Sequence, residues 1–257
     1  KKENQSSFLF RAKGTRHSLG IDAEGVVYSW GKSSSLGQLG RKTNVSQPSK
    51  VPIPVANFPN KALKVYASVG SDSDSGHSAI LDVRGNLWMT GCDRWQQLGL
   101  GSAKGGSTGY TWKEGKLWQE KFVSSSHVVD LIKEHSPTAT IRDLSLGGDH
   151  TLILASNGGV YAFGKGGDGQ LGLVGKPFLS APVKSKLSSP NVAAVCAIKA
   201  CSVTLNPDGS IQNKAGKCQR SVTLITEGIT NCISRAKREG LIVKEESFDD
   251  KKRIDPL

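Results

Sequence analysis

The chain has no run of apolar residues near the roughly 18 that a membrane-spanning helix requires, so no such helix is expected. No secretory signal pattern is present. Cysteine is scarce: the five residues Cys92, Cys196, Cys201, Cys218 and Cys232 are an odd number and contain no Cys-x-x-Cys pair. The spacing of the last four suits zinc poorly. Free, mostly buried thiols in a reducing compartment are therefore expected, with a disulfide or zinc site among the last four as the alternative. The 257 residues open on Lys1-Lys2-Glu3 without an initiator methionine. That start fits a processed organelle import product and fits a trimmed chain equally well. A mitochondrial location is the expectation, with nucleus and cytoplasm left open.

Acidic residues are also in short supply, with 34 Lys and Arg against 22 Asp and Glu, a formal charge of +12. The excess is uneven. Residues 1–64 carry 11 basic and 3 acidic side chains, a net of +8, and residues 184–257 carry 13 and 8, a net of +5. Residues 65–183 carry 10 and 11, a net of −1. In a closed ring the two basic terminal parts would be neighbours. One basic sector attracts RNA, acidic proteins or anionic surfaces through its long-range field.

What the chain does have is a repeat. His17 to Gly31, His77 to Gly91 and His150 to Gly164 are three copies of one sentence. Each is led by His, with Gly at the eighth and fourteenth following positions. A tail follows each: Gly37-Gln38-Leu39-Gly40, Gln96-Gln97-Leu98-Gly99 and Gly169-Gln170-Leu171-Gly172. Alternation such as Leu19 and Ile21, then Val26, Tyr28 and Trp30, marks two half-buried strands around a glycine turn. Short strands are expected before each hairpin, at 62–69, 140–146 and 191–198, and an outer strand after it. Four-stranded units stacked radially make a propeller. A degenerate fourth copy runs from Cys201 to Ile211, with Cys in the place of His and Ala215 in the place of the closing Gly.

These residues resemble the repeats of the RCC1 (regulator of chromosome condensation 1) family, over roughly residues 7 to 215. The resemblance implies an all-β RCC1-like β-propeller, here incomplete or atypical, with three clear blades plus one degenerate. The family's ring classically has seven blades, more than this length accommodates. The expected organisation is propeller repeats over 1–228, with an insertion at 102–140, and a C-terminal helix and charged tail over 229–257.

Breaks in a repeat are where function is grafted onto a scaffold. The insertion interleaves rings with lysines: Tyr110, Trp112, Lys113, Lys116, Trp118 and Lys121. These are candidate partner-binding residues, against the alternative that Trp112 and Trp118 pack on an elaborated outer strand. Val128 to Ile132 is expected to return the chain to the core. Ile229, Cys232, Ile233 and Ala236 fall on one face of a short helix, which turns Arg235, Lys237 and Arg238 outward as further candidates.

No catalytic set is expected. Gly164 to Gly169 matches a dinucleotide fingerprint without the helix that site needs, and Gly159 to Lys165 lacks the hydroxyl of a phosphate loop. Gly105 to Gly109 lies in a Gly/Ser stretch rather than a strand-to-helix turn, and Asp72 to Gly76 is half a calcium loop. His17, His77 and His150 hold one blade position and read as structural. The expected function is therefore a non-catalytic scaffold subunit of a larger assembly, needing no cofactor, metal or small-molecule substrate. It would contact proteins and RNA, as in an organellar ribonucleoprotein. The resemblance supplies two alternatives: guanine-nucleotide exchange on a small GTPase, and chromatin or nucleic-acid binding.

Overall fold

The computed structural model describes residues 8–32, 37–41, 49–56, 58–70, 76–101, 111–113, 116–218 and 222–243. Four antiparallel sheets follow one another as blades. Blade 1 consists of β1 (Phe10–Lys13), β2 (His17–Ile21), β3 (Val27–Gly31) and β4 (Ser49–Pro54). Blade 2 has β5 (Ala62–Ala67), β6 (His77–Asp82) and β7 (Leu87–Cys92), then β8 (Thr111–Lys113) and β9 (Lys116–Ser124). The order in that blade is β5-β6-β7-β9-β8, so the insertion supplies the fourth strand and adds a fifth. Helix α1 (Ser126–His135) leads on to blade 3, made of β10 (Ile141–Leu146), β11 (His150–Ala155), β12 (Val160–Lys165) and β13 (Phe178–Lys184). Blade 4 has only β14 (Ala194–Ile198), β15 (Cys201–Leu205) and β16 (Ile211–Gly216), and helix α2 (Val222–Arg238) follows. The four-stranded unit thus holds for blades 1 and 3, while blade 2 gains a strand and blade 4 lacks one.

The spacing of the repeat is the register of its hairpin. His17 lies opposite Gly31, His77 opposite Gly91 and His150 opposite Gly164. The closing glycines have φ of +112°, +105° and +99°, and a Cβ on any of them would come within 2.6 Å of the carbonyl oxygen preceding the facing His. Only glycine tolerates both the dihedral and the approach. In the fourth copy the residue opposite Cys201 is Gly216, not Ala215. A bulge leaves Gln212 without a partner between the pairs Thr204–Asn213 and Leu205–Ile211, which moves the closing position on by one.

Alternate residues of each strand face the two neighbouring blades, so the core lies in slabs between blades. Leu19, Ile21 and Val27 meet Val65, Ala67 and Ile80 between blades 1 and 2. Met89 and Leu87 meet Leu146, Ile153 and Phe163 between blades 2 and 3, and Val128 and Ile132 of α1 enter this slab as the sequence leads one to expect. Leu152, Leu154 and Val160 meet Val195 and Ala197 between blades 3 and 4. Each such fully buried side chain contributes roughly 1.5–3 kcal/mol. The far face of blade 4, with Cys196, Ile198, Cys201, Val203 and Leu205, has no fifth blade against it. Ile225, Cys232, Ala236, Leu241 and Ile242 cover it instead.

A polar relay crosses each slab. The Nε2 of His17 lies 2.7 Å from the Ser78 hydroxyl, that of His77 3.0 Å from Thr151, and that of His150 2.8 Å from Ser202. The same three hydroxyls donate to the main-chain carbonyls of Gln38, Gln97 and Gln170, at 2.8, 2.8 and 2.6 Å. A hydroxyl has one proton to give, and a carbonyl can only accept. The proton shared with the ring must therefore come from Nε2–H, which fixes the tautomer. Burial holds all three rings neutral, lowering His17 to about 4 and His77 and His150 to about 3. These histidines join blades.

Four of the five cysteines are disulfide-bonded, Cys196 to Cys232 and Cys201 to Cys218, and Cys92 is free and buried. This corrects the expectation of free thiols. Cys201 faces the covered side of blade 4, and helix α2 lays Cys232 on Cys196 of β14; linear spacing carries no sign of either approach. Burial pushes the Cys92 thiol up to about 11.

Candidate functional site

Helix α2 has two buried sides. One covers blade 4. The other crosses the inner strands of blades 2 and 3. Arg235 donates to both carboxylate oxygens of Asp143 on β10, at 2.6 and 2.9 Å, and its guanidinium lies 6.0 Å from the centre of the Tyr66 ring on β5. Glu239, at the end of the helix, pairs with Lys64 of β5 at 3.0 Å and with Arg235 at 3.5 Å. Burial alone would lower the Arg235 guanidinium, but the charge and hydrogen bonds of Asp143, joined by Glu239, raise it. Arg235 thus points inward and serves as an anchor, a correction to its expected outward position. A helix buried on one face would have exposed it; this helix is buried on two.

Between α2 and the inner strands lies a cavity of about 260 Å³. Arg11 and Lys13 of β1 line it, with Arg235 and Arg238 of α2 and the polar groups of Ser145, Asn231 and Ser234. Arg11, Lys13 and Arg238 are exposed. No carboxylate is among the lining residues. The N-terminal and C-terminal basic segments therefore meet on one cleft. Arg11 and Lys13 escape sequence reading because they lie within a repeat, although the charge count of residues 1–64 signals them collectively.

The other candidates lie elsewhere. Trp118 on β9 is 4% exposed and packs with Cys92, so it is core rather than a partner anchor. Its ring is held because β9 completes the blade, with Trp118 opposite Cys92. Trp112, Lys113 and Lys116 sit on the β8–β9 hairpin, where Trp112 pairs with Leu117 and Lys113 with Lys116. Lys121 on the same β9 strand is exposed. Lys237 is half-buried. Tyr110 and the segments 102–109 and 71–75 lie outside the described residues. Gly164 to Gly169 runs from β12 into turns and then β13, so the fingerprint has no helix to open. Among the described residues no group of His, Cys, Asp and Glu is arranged to hold a metal, and no helix is long and apolar enough to cross a membrane.

Two segments, 24–73 and 141–170, match the regulator of chromosome condensation (RCC1) repeat. The chain is built from RCC1 repeats. Yeast RCC1 (Prp20), solved bound to Kap60, superposes with a TM-score of 0.61 at 20% identity over 80% of this chain and 43% of that one. Human WBSCR16 superposes with a TM-score of 0.57 at 21% identity, over 79% and 46%. The RCC1 repeats here are thus arranged as in those propellers. In sequence, the RCC2 homolog of Xenopus laevis is 29% identical over 174 residues, 64% of this chain and 31% of that protein. The probable E3 ubiquitin-protein ligase HERC3 of Homo sapiens is 33% identical over 172 residues, 66% of this chain and 14% of that protein. The chain spans less than half the length of each of these relatives.

Proposed function

We propose that this chain is a non-catalytic binding scaffold, a propeller subunit that grips an acidic partner in the cleft between β1 and α2 within a larger assembly. The observation that carries this reading is the convergence of Arg11, Lys13 and Arg238 on a cavity without a carboxylate. The overall charge of +12 supports it, since a basic field speeds encounter with an acidic surface. The β8–β9 hairpin, with Trp112, Lys113, Lys116 and the exposed Lys121, serves as a second contact in this reading, with Lys237 and Arg238 beside the first. An organellar ribonucleoprotein is the assembly proposed. Nucleotide exchange and chromatin binding draw on the fold alone. Prp20p, described with its binding to Gsp1p and histones, is matched over only 45% of its length.

The test is sedimentation of the native protein from its source extract, with and without ribonuclease, followed by mass spectrometry of the fractions. A large particle that ribonuclease dissolves supports a ribonucleoprotein, and one that resists it supports a protein assembly. Migration as a lone small species would overturn the scaffold reading.

A further inference from the structure

The inner strand of blade 1 has a free edge. Gly14 N–H donates to His17 at 2.9 Å, and β1 pairs Phe10 with Ile21, Arg11 with Gly20, Ala12 with Leu19 and Lys13 with Ser18. Antiparallel pairs alternate between bonded and unbonded. Phe10, Ala12 and Gly14 therefore turn their main-chain groups to β2, and Arg11 and Lys13 turn theirs away from it. The corresponding edges of the other blades are engaged. Val69 N–H donates to Leu146, Lys199 N–H to Val69, and Ala197 N–H to the Ser145 hydroxyl. Among the described residues, the groups of Arg11 and Lys13 have no such partner.

We propose that this edge, inside the basic cleft, receives an extended acidic peptide of a partner protein, which adds a strand to β1 and carries carboxylates at alternate positions. The proposal rests on the binding reading above and specifies its ligand. Strand addition supplies main-chain hydrogen bonds, and side chains at alternate positions supply specificity. Arg11 and Lys13 lie two residues apart on one strand, so their spacing of about 6.6 Å matches every second residue of a paired strand. Arg238 faces them from α2. RNA is the less fitting ligand, because the one aromatic lining the cleft is Tyr66, 5% exposed beneath Arg235, and offers no stacking face.

The test uses the full chain and a fluorescein-labelled peptide of alternating Glu and Thr, read by anisotropy. Saturable binding is expected. Arg11→Glu with Lys13→Glu should weaken it by about tenfold or more, as should Arg238→Glu alone, with the melting temperature unchanged because all three side chains are exposed. A peptide N-methylated at alternate amides keeps its charges and loses its strand edge, and it should not bind. Equal binding by the methylated peptide overturns strand addition. Binding untouched by the charge reversals overturns the site. Binding of labelled oligouridine through these residues, with no binding of the peptide, overturns the acidic ligand while leaving the basic cleft of the proposed function intact.

Discussion

His150 and Ser202 stand on different blades, 52 residues apart in sequence, yet their side chains meet at 2.8 Å with the Ser202 hydroxyl also held by the Gln170 carbonyl. The contact is fully buried, and Nδ1 of the same ring has no partner among the described residues. The bond therefore carries the orientation of the ring alone. His150→Ala leaves a void and breaks the link between blades 3 and 4. It should cost about 2–4 kcal/mol in urea denaturation. His17→Ala, at the junction of blades 1 and 2, should behave alike. A loss below about 0.5 kcal/mol in both would remove the relay as a source of stability.

The same rings make stability depend on pH. All three are held below the ordinary value of 6.5, at about 4 for His17 and about 3 for His77 and His150. Below pH 6.5 the unfolded chain takes up protons that the folded chain refuses. Stability is thus fully present above pH 6.5 and declines as the pH falls from there toward 4 to 3. At pH 5 the loss is about 2 kcal/mol per histidine. Urea midpoints measured between pH 7.5 and 4.5 check this, and His77→Gln should flatten the decline by one histidine's share.

Ala215 and Gly216 offer a test of the fourth hairpin. Gly216 has φ of +82°, and a Cβ on it would strike the Ala200 carbonyl and Gln170. Gly216→Ala should destabilise by about 1–3 kcal/mol, whereas Ala215→Gly should cost about 1 kcal/mol or less. The reverse ranking in thermal melts would show that the closing position had been misassigned.

Asp143 is wholly buried beneath Arg235. Asp143→Asn leaves the guanidinium with Glu239 alone and should cost about 3–5 kcal/mol, while the paired change Asp143→Leu with Arg235→Met should recover most of that. Calorimetric melting of the three proteins decides it. Little difference between the single and double variants would mean that the pair does not anchor α2.

Much of this architecture is written in the sequence. The His-to-Gly spacing is legible because it is the register of a hairpin, and the terminal charge count foreshadows the cleft. Other parts are not legible, for physical reasons. The bulge at Gln212 costs one residue and leaves no compositional mark. Ile229, Cys232, Ile233 and Ala236 reveal one apolar face of α2, but the second face is held by Arg235 and Glu239, charged residues that look solvent-facing until their partners on β5 and β10 are known. Trp118 reads equally as anchor or core, and only the pairing of β9 with β7 decides between them.

The two ends of the row of blades are unlike. Ser18 holds the place that Ser78, Thr151 and Ser202 hold in later blades, and it sits half-buried beside Phe8, whose ring stacks on Trp30. At the other end Cys201 replaces the histidine and is tied to Cys218, and α2 closes the face. One copy therefore has nothing to offer the Ser18 of the next. Translation of the same unit, tail onto head, is the geometry that yields endless filaments. The sealed end denies it to this protein, and growth of the row stops with its own chain.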